Sequence, residues 1–519
     1  MSELRAQFEE MATRGEERGA DAVVAASVAE AERRATAATS TPRRGRISAA
    51  IALAAVVVLA LIVGALALRA HDRASRPRVG ATAGTPGTGA PPTTSAPSAP
   101  TSTLPGPTID FAAGDFGRVA WIDGRGLVTA SSAHPEGRLV AQGQIERPAF
   151  SSDGRWIAFV RDGSLNVMPS DGGDATDLDA SGRHFEWSPT GDQLAWVAGT
   201  DFELRITDPG SDHTVTIDGT VDVFDFAWAP DGRSLAVSRE ARGAPVTGFE
   251  VVDVDGSNVR TIDFEPATRD YGAGNVNPLL FAGWQPDSTG VLVWIDEGGS
   301  GSIMQDGLEL WLVPLDGSTA HDLGRTLVKR QWVRWSPNGS RVAIVRSSGR
   351  EVVDSPRTVT VCTTYGVCSP ISGDDTATLD PAWSPDGRQL AFVSHPAIER
   401  YPEMLGNAPD WHEPYAARRL WIANADGSDA HQVDNAGDGV ASPRWTADGQ
   451  RILYVRDDAL WTLDLTEGST KEVLAPIAPV PKYVAGTEHQ SNLAPPDAVY
   501  EPTDANNLPA WESLVTWVP

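Results

Sequence analysis

The sequence predicts an all-β fold, a β-propeller, preceded by a short helical inner segment and one transmembrane helix. Three observations indicate this arrangement. Residues 47–68 form an apolar run without a charge, and residues 69–108 are rich in Pro, Thr, Ser and Ala. One short motif then recurs seven times between Phe150 and Trp445. The repeat predicts eight blades, with a seven-bladed ring as the alternative.

The composition is that of a folded protein with a strongly acidic carboxy-terminal part. The chain has 519 residues, 41% of them hydrophobic, and a formal net charge of −27. Residues 1–108 hold 12 Arg against 9 Asp and Glu, a net of +3, so residues 109–519 carry −30. Because such a surface repels a phosphate backbone, we expect no nucleic-acid partner.

Residues 1–46 are predicted to be a cytoplasmic helical segment. Leu4, Phe8 and Met11 fall on one face of a helix, and residues 22–38 are rich in alanine, the strongest helix former. Two interpretations stay open, a solvated helix beside the membrane and a docking helix for a cytosolic partner.

Residues 47–68 are predicted to be a transmembrane helix in contact with the lipid bilayer. The run of 22 uncharged residues is long enough to cross a membrane. A buried helix of a soluble domain is one alternative, and a signal peptide cleaved after Ala65-Leu66-Ala67 is another. The run exceeds the apolar core of about 7–15 residues that signal peptides carry, which favours an uncleaved signal-anchor.

Residues 69–108 are predicted to be a stalk. From residue 79 onward this segment carries no charge, and its composition favours an extended, polyproline-like chain that forms no core. Arginines lie on both sides of the apolar run, so the positive-inside rule does not decide the orientation. The stalk decides the orientation, because a spacer indicates that the domain after it is held away from a membrane. We therefore expect a single-pass protein of the cell membrane, with a cytoplasmic amino terminus and an extracytoplasmic propeller.

The recurring motif is an aromatic residue, a turn of the Pro-Asp-Gly type and an alternating apolar strand. Its copies are FSSDGRWIAFV from Phe150, WSPTGDQLAWV from Trp187, WAPDGRSLAVS from Trp228, WQPDSTGVLVW from Trp284, WSPNGSRVAIV from Trp335, WSPDGRQLAFV from Trp383 and WTADGQRILYV from Trp445. Proline presets φ, aspartate hydrogen-bonds its own backbone and glycine accepts positive φ. Each copy therefore predicts a tight turn between two strands, followed by a third and a fourth strand.

These motifs resemble the WD40-like Pro-Asp (PD40) repeat of the TolB-type β-propeller family, over residues 116–475. The resemblance implies a propeller, here in a membrane-anchored form. Since the family is functionally mixed, it implies no particular activity. The amino-terminal domain that TolB itself carries is not recognisable in this sequence.

The blade count follows from the two ends of the predicted propeller domain, residues 109–519. Residues 118–142 contain strand patterns without the aromatic anchor, as expected of a blade that lacks its inner strand. Residues 513–518 alternate like a strand and could supply it. Because ring closure removes exposed sheet edges, seven anchored blades and one shared blade predict eight. The seven-bladed alternative leaves an extra packed segment.

Propeller topology places the long insertions on one face. They are Arg239–Gly248, Pro266–Pro278, Asp296–Gly307, Arg346–Pro356 and His395–Arg418. We call this the long-loop face and predict that it binds the ligand, since loops often carry function. The candidate ligand-binding residues are Tyr401, Met404, Trp411, His412 and Tyr415, because aromatic residues are enriched in interfaces. The alternative is that residues 395–418 pack on the propeller as a lid.

The sequence lacks the common catalytic and metal-binding motifs. It has two cysteines, no His-Glu-x-x-His, no Gly-x-Ser-x-Gly and no phosphate-binding glycine loop. We therefore predict no enzyme, no catalytic, metal or cofactor residues, and a binding or sensing module for a protein or cell-envelope polymer. The alternative is an extracytoplasmic propeller enzyme, a lyase or glycan hydrolase, with its site at the mouth of the channel.

Cys362 and Cys368 are predicted to form a disulfide. The first ends a strand pattern, the second begins the next, and five residues with Gly366 lie between them. A hairpin brings two such Cβ atoms into bonding range. An oxidising compartment outside the cytoplasm would preserve the bond. Two reduced cysteines are the alternative.

Overall fold

The computed structural model describes the propeller part of the chain with gaps. Described are residues 109, 111, 117–123, 125–178, 184–198, 202–211, 213–217, 220–239, 248–264, 279–295, 307–347, 357–373, 376–397, 416–457, 459–475 and 515–518. The predicted segments 1–46, 47–68 and 69–108 therefore lie outside the described residues. Within these ranges, no helix has the length and apolar character of a membrane span.

The described residues form 32 strands and two short 3-10 turns, Arg330–Trp332 and Asp434–Ala436. The strands are β1 Arg118–Asp123, β2 Gly126–Ser131, β3 His134–Ala141, β4 Ile145–Phe150, β5 Trp156–Arg161, β6 Ser164–Pro169, β7 Thr176–Asp177, β8 Phe185–Trp187, β9 Leu194–Ala198, β10 Glu203–Asp208 and β11 His213–Thr216. Next come β12 Val223–Trp228, β13 Ser234–Arg239, β14 Gly248–Asp253, β15 Arg260–Asp263, β16 Leu280–Trp284, β17 Gly290–Ile295, β18 Leu308–Pro314, β19 His321–Thr326, β20 Val333–Trp335, β21 Arg341–Arg346, β22 Thr358–Thr363 and β23 Cys368–Pro370. The last are β24 Thr376–Trp383, β25 Gln389–Pro396, β26 Arg419–Asn424, β27 His431–Gln432, β28 Ala441–Trp445, β29 Arg451–Arg456, β30 Ala459–Asp464, β31 Thr470–Leu474 and β32 Val515–Val518.

The strands pair antiparallel in chain order, in runs of four. In the described ranges, six sheets have four strands each and a seventh sheet has eight strands. The eight-stranded sheet consists of β16–β19 and β20–β23, which are joined through the single residue pair Thr326–Arg346. We call each run a set and name it by its first strand. The prediction of an all-β, propeller-type fold is confirmed by this pattern, since four-stranded antiparallel sheets are the blades of propellers.

The first strands of the sets lie together at one edge. β12 contacts β16, β20 contacts β24, β24 contacts β28, and β32 contacts β4. β32 pairs with β1 and so occupies the first position of the β1 set, with Trp517 opposite Val119. One hydrophobic core cluster also contains residues of both the β1 set and the β28 set, among them Val119 and Leu453. The two ends of the described propeller chain therefore pack against each other.

The recurring motif folds as the predicted tight turn. At Trp383 the next residue, Ser384, donates its hydroxyl to Asp386 Oδ1 at 2.7 Å. The same oxygen accepts the backbone N–H of Arg388 at 3.0 Å, and Gly387 takes a φ of +67°, which favours glycine. These bonds lower the pKa of the exposed Asp386 carboxyl, first through Ser384 and then through the Arg388 amide. Thr446 and Asp448 repeat the arrangement, at 2.6 Å.

Cys362 and Cys368 are bonded in the structure. They stand opposite each other in the register of β22 and β23. Gly366 takes a φ of +75° in the turn between the two strands.

Candidate functional site

A partly buried ionic cluster, in which His184 and Asp225 are buried, joins three sets near the beginnings of their first strands. The Arg330 cluster consists of His184 just before β8, Glu186 in β8, Asp225 in β12 and Arg330 just before β20. Arg330 Nη1 donates to Glu186 Oε1, and Arg330 Nη2 donates to both Asp225 oxygens at 2.9 and 3.0 Å. His184 Nδ1 lies 2.9 Å from Asp225 Oδ1 and its Nε2 lies 3.3 Å from Glu186 Oε1.

Electrostatics favour the charged forms of His184, Glu186 and Asp225. Burial alone would raise the pKa of both carboxyls, but Arg330 and His184 outweigh it and lower the pKa of Asp225 and Glu186. Burial would lower the pKa of His184, but hydrogen bonds to Asp225 and Glu186 raise it. With His184 protonated, two positive and two negative charges balance. Carboxylates held this firmly in the charged form are poor general acids, so the geometry indicates that the cluster binds three sets together.

Tryptophan indoles connect the first strands of neighbouring sets. We call the aromatic residue that opens each copy of the motif the anchor. The indole N–H of an anchor tryptophan donates to a backbone carbonyl of the preceding set, that of the residue just before the anchor. The bonds are Trp187 to Ala149 at 2.8 Å, Trp228 to Glu186 at 3.0 Å, Trp284 to Ala227 at 3.0 Å, Trp383 to Arg334 at 2.8 Å and Trp445 to Ala382 at 3.1 Å. The sixth, Trp335, is an exception, since its buried indole N–H has no acceptor among the described residues.

A cavity of about 280 Å³ lies along the first strands of the β20, β24 and β28 sets. Anchor tryptophans of all three sets line it, together with two arginines and one aspartate, Asp380. Asp380 Oδ1 accepts the indole N–H of Trp332 at 2.7 Å, and its Oδ2 accepts the backbone N–H of Ser442 at 2.9 Å. We call this space the channel cavity, because the first strands of three sets line it.

The two arginines of the channel cavity are held in place by their surroundings. Arg334 Nη1 donates to the carbonyl of Arg330 at 3.0 Å. The guanidinium carbon of Arg444 lies 5.0 Å from the centre of the Trp517 ring in β32, within range of a cation–π contact. Among the residues described, no group of three or more His, Cys, Asp or Glu side chains is placed to hold a metal ion.

The residues predicted to bind the ligand lie outside the described residues; they are Tyr401, Met404, Trp411, His412 and Tyr415. The strand order does place the five long insertions between sets or between second and third strands. Because the strands of a set are antiparallel, these connections all lie at the same end of the sets, the end where the first strands begin. The Arg330 cluster lies at that end too.

Sequence reasoning missed the charged residues of the first strands. The position before each anchor aromatic holds Ala149, Glu186, Ala227, Gly283, Arg334, Ala382 and Arg444. Small residues occupy four of these seven places, and a charge occupies the other three. Aligning the seven anchors and reading this position would have singled out the two arginines of the cavity and one acid of the Arg330 cluster.

No family model matches the chain. A curated relative from Bacillus subtilis (strain 168), "Uncharacterized peptidase YuxL", is 30% identical over 139 residues, 26% of this chain and 18% of that protein. The chain therefore spans much less than two thirds of that relative.

Solved structures with a similar fold share little sequence identity with this chain. The tricorn protease has 13% identity and a TM-score of 0.39, covering 67% of this chain and 37% of that one. The putative TolB from Agrobacterium tumefaciens has 17% identity and a TM-score of 0.31, covering 65% and 97%. Porphyromonas gingivalis dipeptidyl peptidase 4 has 11% identity and a TM-score of 0.43, covering 70% and 58%.

The prediction that the chain is not an enzyme was wrong. It was based on missing catalytic motifs, whereas the curated relative is named a peptidase. The error lay in treating the absence of short contiguous motifs as evidence against activity, since neither a fold nor a missing motif determines function.

Proposed function

We propose that this chain is a propeller enzyme that hydrolyses peptides and binds its substrate in the channel. The observation that carries the proposal is the 30% identity over 139 residues to a protein named a peptidase. Peptides have both apolar and charged groups, and the channel cavity offers surfaces for both through Trp383, Trp445 and Arg444. As its alternative, the sequence indicates a propeller enzyme that acts on glycans, and this proposal keeps the enzyme but changes the substrate to a peptide.

The substrate path runs from the long-loop face into the channel. Arg330 lies near that face, where its side chain bridges sets that are not neighbours. The bridge connects the β20 set to the β8 and β12 sets. The aromatic residues of 395–418 would then contact the part of the peptide that stays outside.

The ring has eight blades in this proposal, and β32 closes the last of them. The pairing of β32 with β1 supports it, as does the core cluster shared by the β1 and β28 sets. Residues 47–68 anchor the chain in the cell membrane, and residues 69–108 hold the propeller outside the cytoplasm. The uncharged apolar run and the stalk composition support that arrangement.

The test is turnover by the full-length chain purified in mild detergent. A library of fluorogenic peptides and a panel of cell-envelope glycans are incubated with the protein, and products are identified by mass spectrometry. We expect cleavage of peptides and none of glycans. Binding of peptides without any cleavage would contradict the enzyme proposal and favour a binding module, and cleavage of glycans alone would replace the substrate class.

A contaminating peptidase is excluded with matched variants. Arg444→Gln changes the cavity, and Arg388→Gln removes an arginine whose side chain is 86% exposed on a neighbouring turn. The first should raise KM for peptides and the second should not. Equal kinetics for both variants and the unmodified chain would assign the cleavage to another protein.

A further inference from the structure

The bonds of Arg330 do not follow the order of the sets. First strands contact one another in chain order, for example β8 with β12 and β12 with β16. The Arg330 side chain leaves the turn before β20, yet it bonds Glu186 in β8 and Asp225 in β12. The β16 set lies between β12 and β20 in this order. These bonds therefore span the space in front of the first strand of the β16 set.

The acidic side of this contact is held together without Arg330. Asp225 Oδ1 accepts the backbone N–H of Phe226 at 2.9 Å, and its Oδ2 accepts that of Phe281 at 2.7 Å. His184 lies 2.9 Å from Asp225 and stacks on the Phe226 ring, with ring centres 4.1 Å apart. Breaking a buried ion pair is costly mainly because it leaves an uncompensated charge. Since these donors still compensate Asp225, release of Arg330 costs less than it would for an isolated pair.

Solvent reaches one basic and one acidic member of the cluster. The side chains of Arg330 and Glu186 are 19% and 27% exposed, whereas those of His184 and Asp225 are 2% and 1% exposed. Water can therefore replace the bond between Arg330 and Glu186 when it breaks. The two buried members form a fixed base for the contact.

The turn that carries Arg330 is fixed to the channel cavity at its other end. It is the 3-10 turn Arg330–Trp332. The indole N–H of the buried Trp332 donates to Asp380 Oδ1 in β24 at 2.7 Å. Gln331, the middle residue of the turn, lines the channel cavity together with Asp380. Arg330 therefore extends from the cavity wall toward the β8 and β12 sets.

We propose that the Arg330 side chain is a crossbar that closes the channel on the side of the long-loop face, and that it releases Glu186 and Asp225 to let a peptide pass. Trp332 keeps the turn in place and Phe281 keeps Asp225 in place, so one side chain moves. Glu186, the exposed acid, sets how often the crossbar opens. The inference rests on the proposed function for the path and for the peptide, and its test needs neither.

Thiol labelling of the full-length chain measures passage past the crossbar. Ala382→Cys places a thiol in the channel cavity, and the two native cysteines are bonded to each other, so this thiol alone reacts. The probe is N-benzylmaleimide, which is neutral and about as large as one aromatic residue, and intact mass gives the labelling rate. Adding Glu186→Gln should speed the labelling about tenfold, because a hydrogen bond between charged groups contributes about that much.

A matched substitution separates the crossbar from a general loss of charge. Glu203 pairs with Arg205 at 3.1 Å within β10, so Glu203→Gln removes an equal charge and should leave the labelling rate of the Ala382→Cys protein unchanged. Hydrogen exchange is the second readout. It should rise about tenfold at residues 329–335 in Glu186→Gln, and stay unchanged there in Glu203→Gln and at residues 451–456 in both.

Three results would overturn the inference. They are an equal labelling rate with and without Glu186→Gln, an equal acceleration by both glutamine substitutions, and unchanged exchange at residues 329–335 in Glu186→Gln. A chain that shows the expected labelling and exchange but cleaves no peptide would support the crossbar and contradict the proposed function alone.

Discussion

At the scale of single residues, the Arg330 cluster predicts how stability depends on pH. The pKa of His184 is raised above its ordinary value of 6.5, so its contribution is complete below 6.5 and is lost as pH rises through the folded-state value. The pKa values of Glu186 and Asp225 are lowered from 4.5 and 3.8. Their contribution is present above those ordinary values and is lost as pH falls through the folded-state values.

The cluster should therefore stabilise the propeller most between pH 4.5 and 6.5. Thermal unfolding from about pH 4 to about pH 9 measures this, and His184→Gln should flatten the decline on the alkaline side. A His184→Gln profile with the same alkaline slope as the unmodified chain would show that His184 does not titrate with folding.

The indole bonds predict different costs for two equal substitutions. Trp383→Phe removes a donor that bonds the Arg334 carbonyl, whereas the Trp335 indole N–H has no acceptor among the described residues. Both changes remove the same atoms. Trp383→Phe should lower the free energy of unfolding by about 1 kcal/mol more than Trp335→Phe. Chemical denaturation measures the difference, and an equal cost for the two would mean that the indole bonds do not stabilise the contact between sets.

At the scale of elements, β32 predicts the strength of ring closure. Thr516 pairs with Ala120 across β32 and β1, and a proline there cannot donate to the ladder. Thr516→Pro should lower the free energy of unfolding by about 1–3 kcal/mol, and Thr516→Val, which suits a strand, is the control. Equal unfolding temperatures for the two variants would indicate that β32 does not hold the ring closed.

The disulfide of β22 and β23 predicts a local effect. The bonded residues Cys362 and Cys368 are separated by 6 positions in the sequence. Closing so small a loop adds little to the free energy of unfolding, about 2–2.5 kcal/mol in the chain-entropy model. The reduced propeller should therefore stay folded by circular dichroism. Intact-mass analysis of the unreduced protein should show two hydrogens fewer than the reduced form. Two alkylatable thiols in freshly purified native protein would contradict both the bond and the oxidising location.

The sequence predicts the sets well because their signals are local. The aromatic anchor, the turn at Gly387 and the alternating strand after it depend on neighbours in the chain, and each recurs seven times. The Arg330 cluster could not be predicted in the same way, since His184 and Arg330 are far apart in sequence and meet only when the ring forms. The arginines of the cavity are intermediate, because their position before Trp335 and Trp445 was visible but their convergence was not.

At the scale of the whole molecule, the stalk and the apolar run 47–68 predict which side of the membrane holds the propeller. Protease added to intact, wall-stripped cells should remove residues 109–519 and leave residues 1–46 protected. Antibodies to each end of the chain measure the two fragments. Digestion of residues 1–46 with a protected propeller would reverse the orientation.

Cleavage in water enriched in oxygen-18 tests most directly whether this chain hydrolyses peptides. Full-length protein is incubated with its best peptide substrate, and the products are analysed by mass spectrometry. We predict that each new carboxy terminus carries the heavy oxygen, and that Arg444→Gln slows the labelling at low substrate concentration while Arg388→Gln does not. Intact peptide after prolonged incubation, or labelling at one rate in all three proteins, would contradict it.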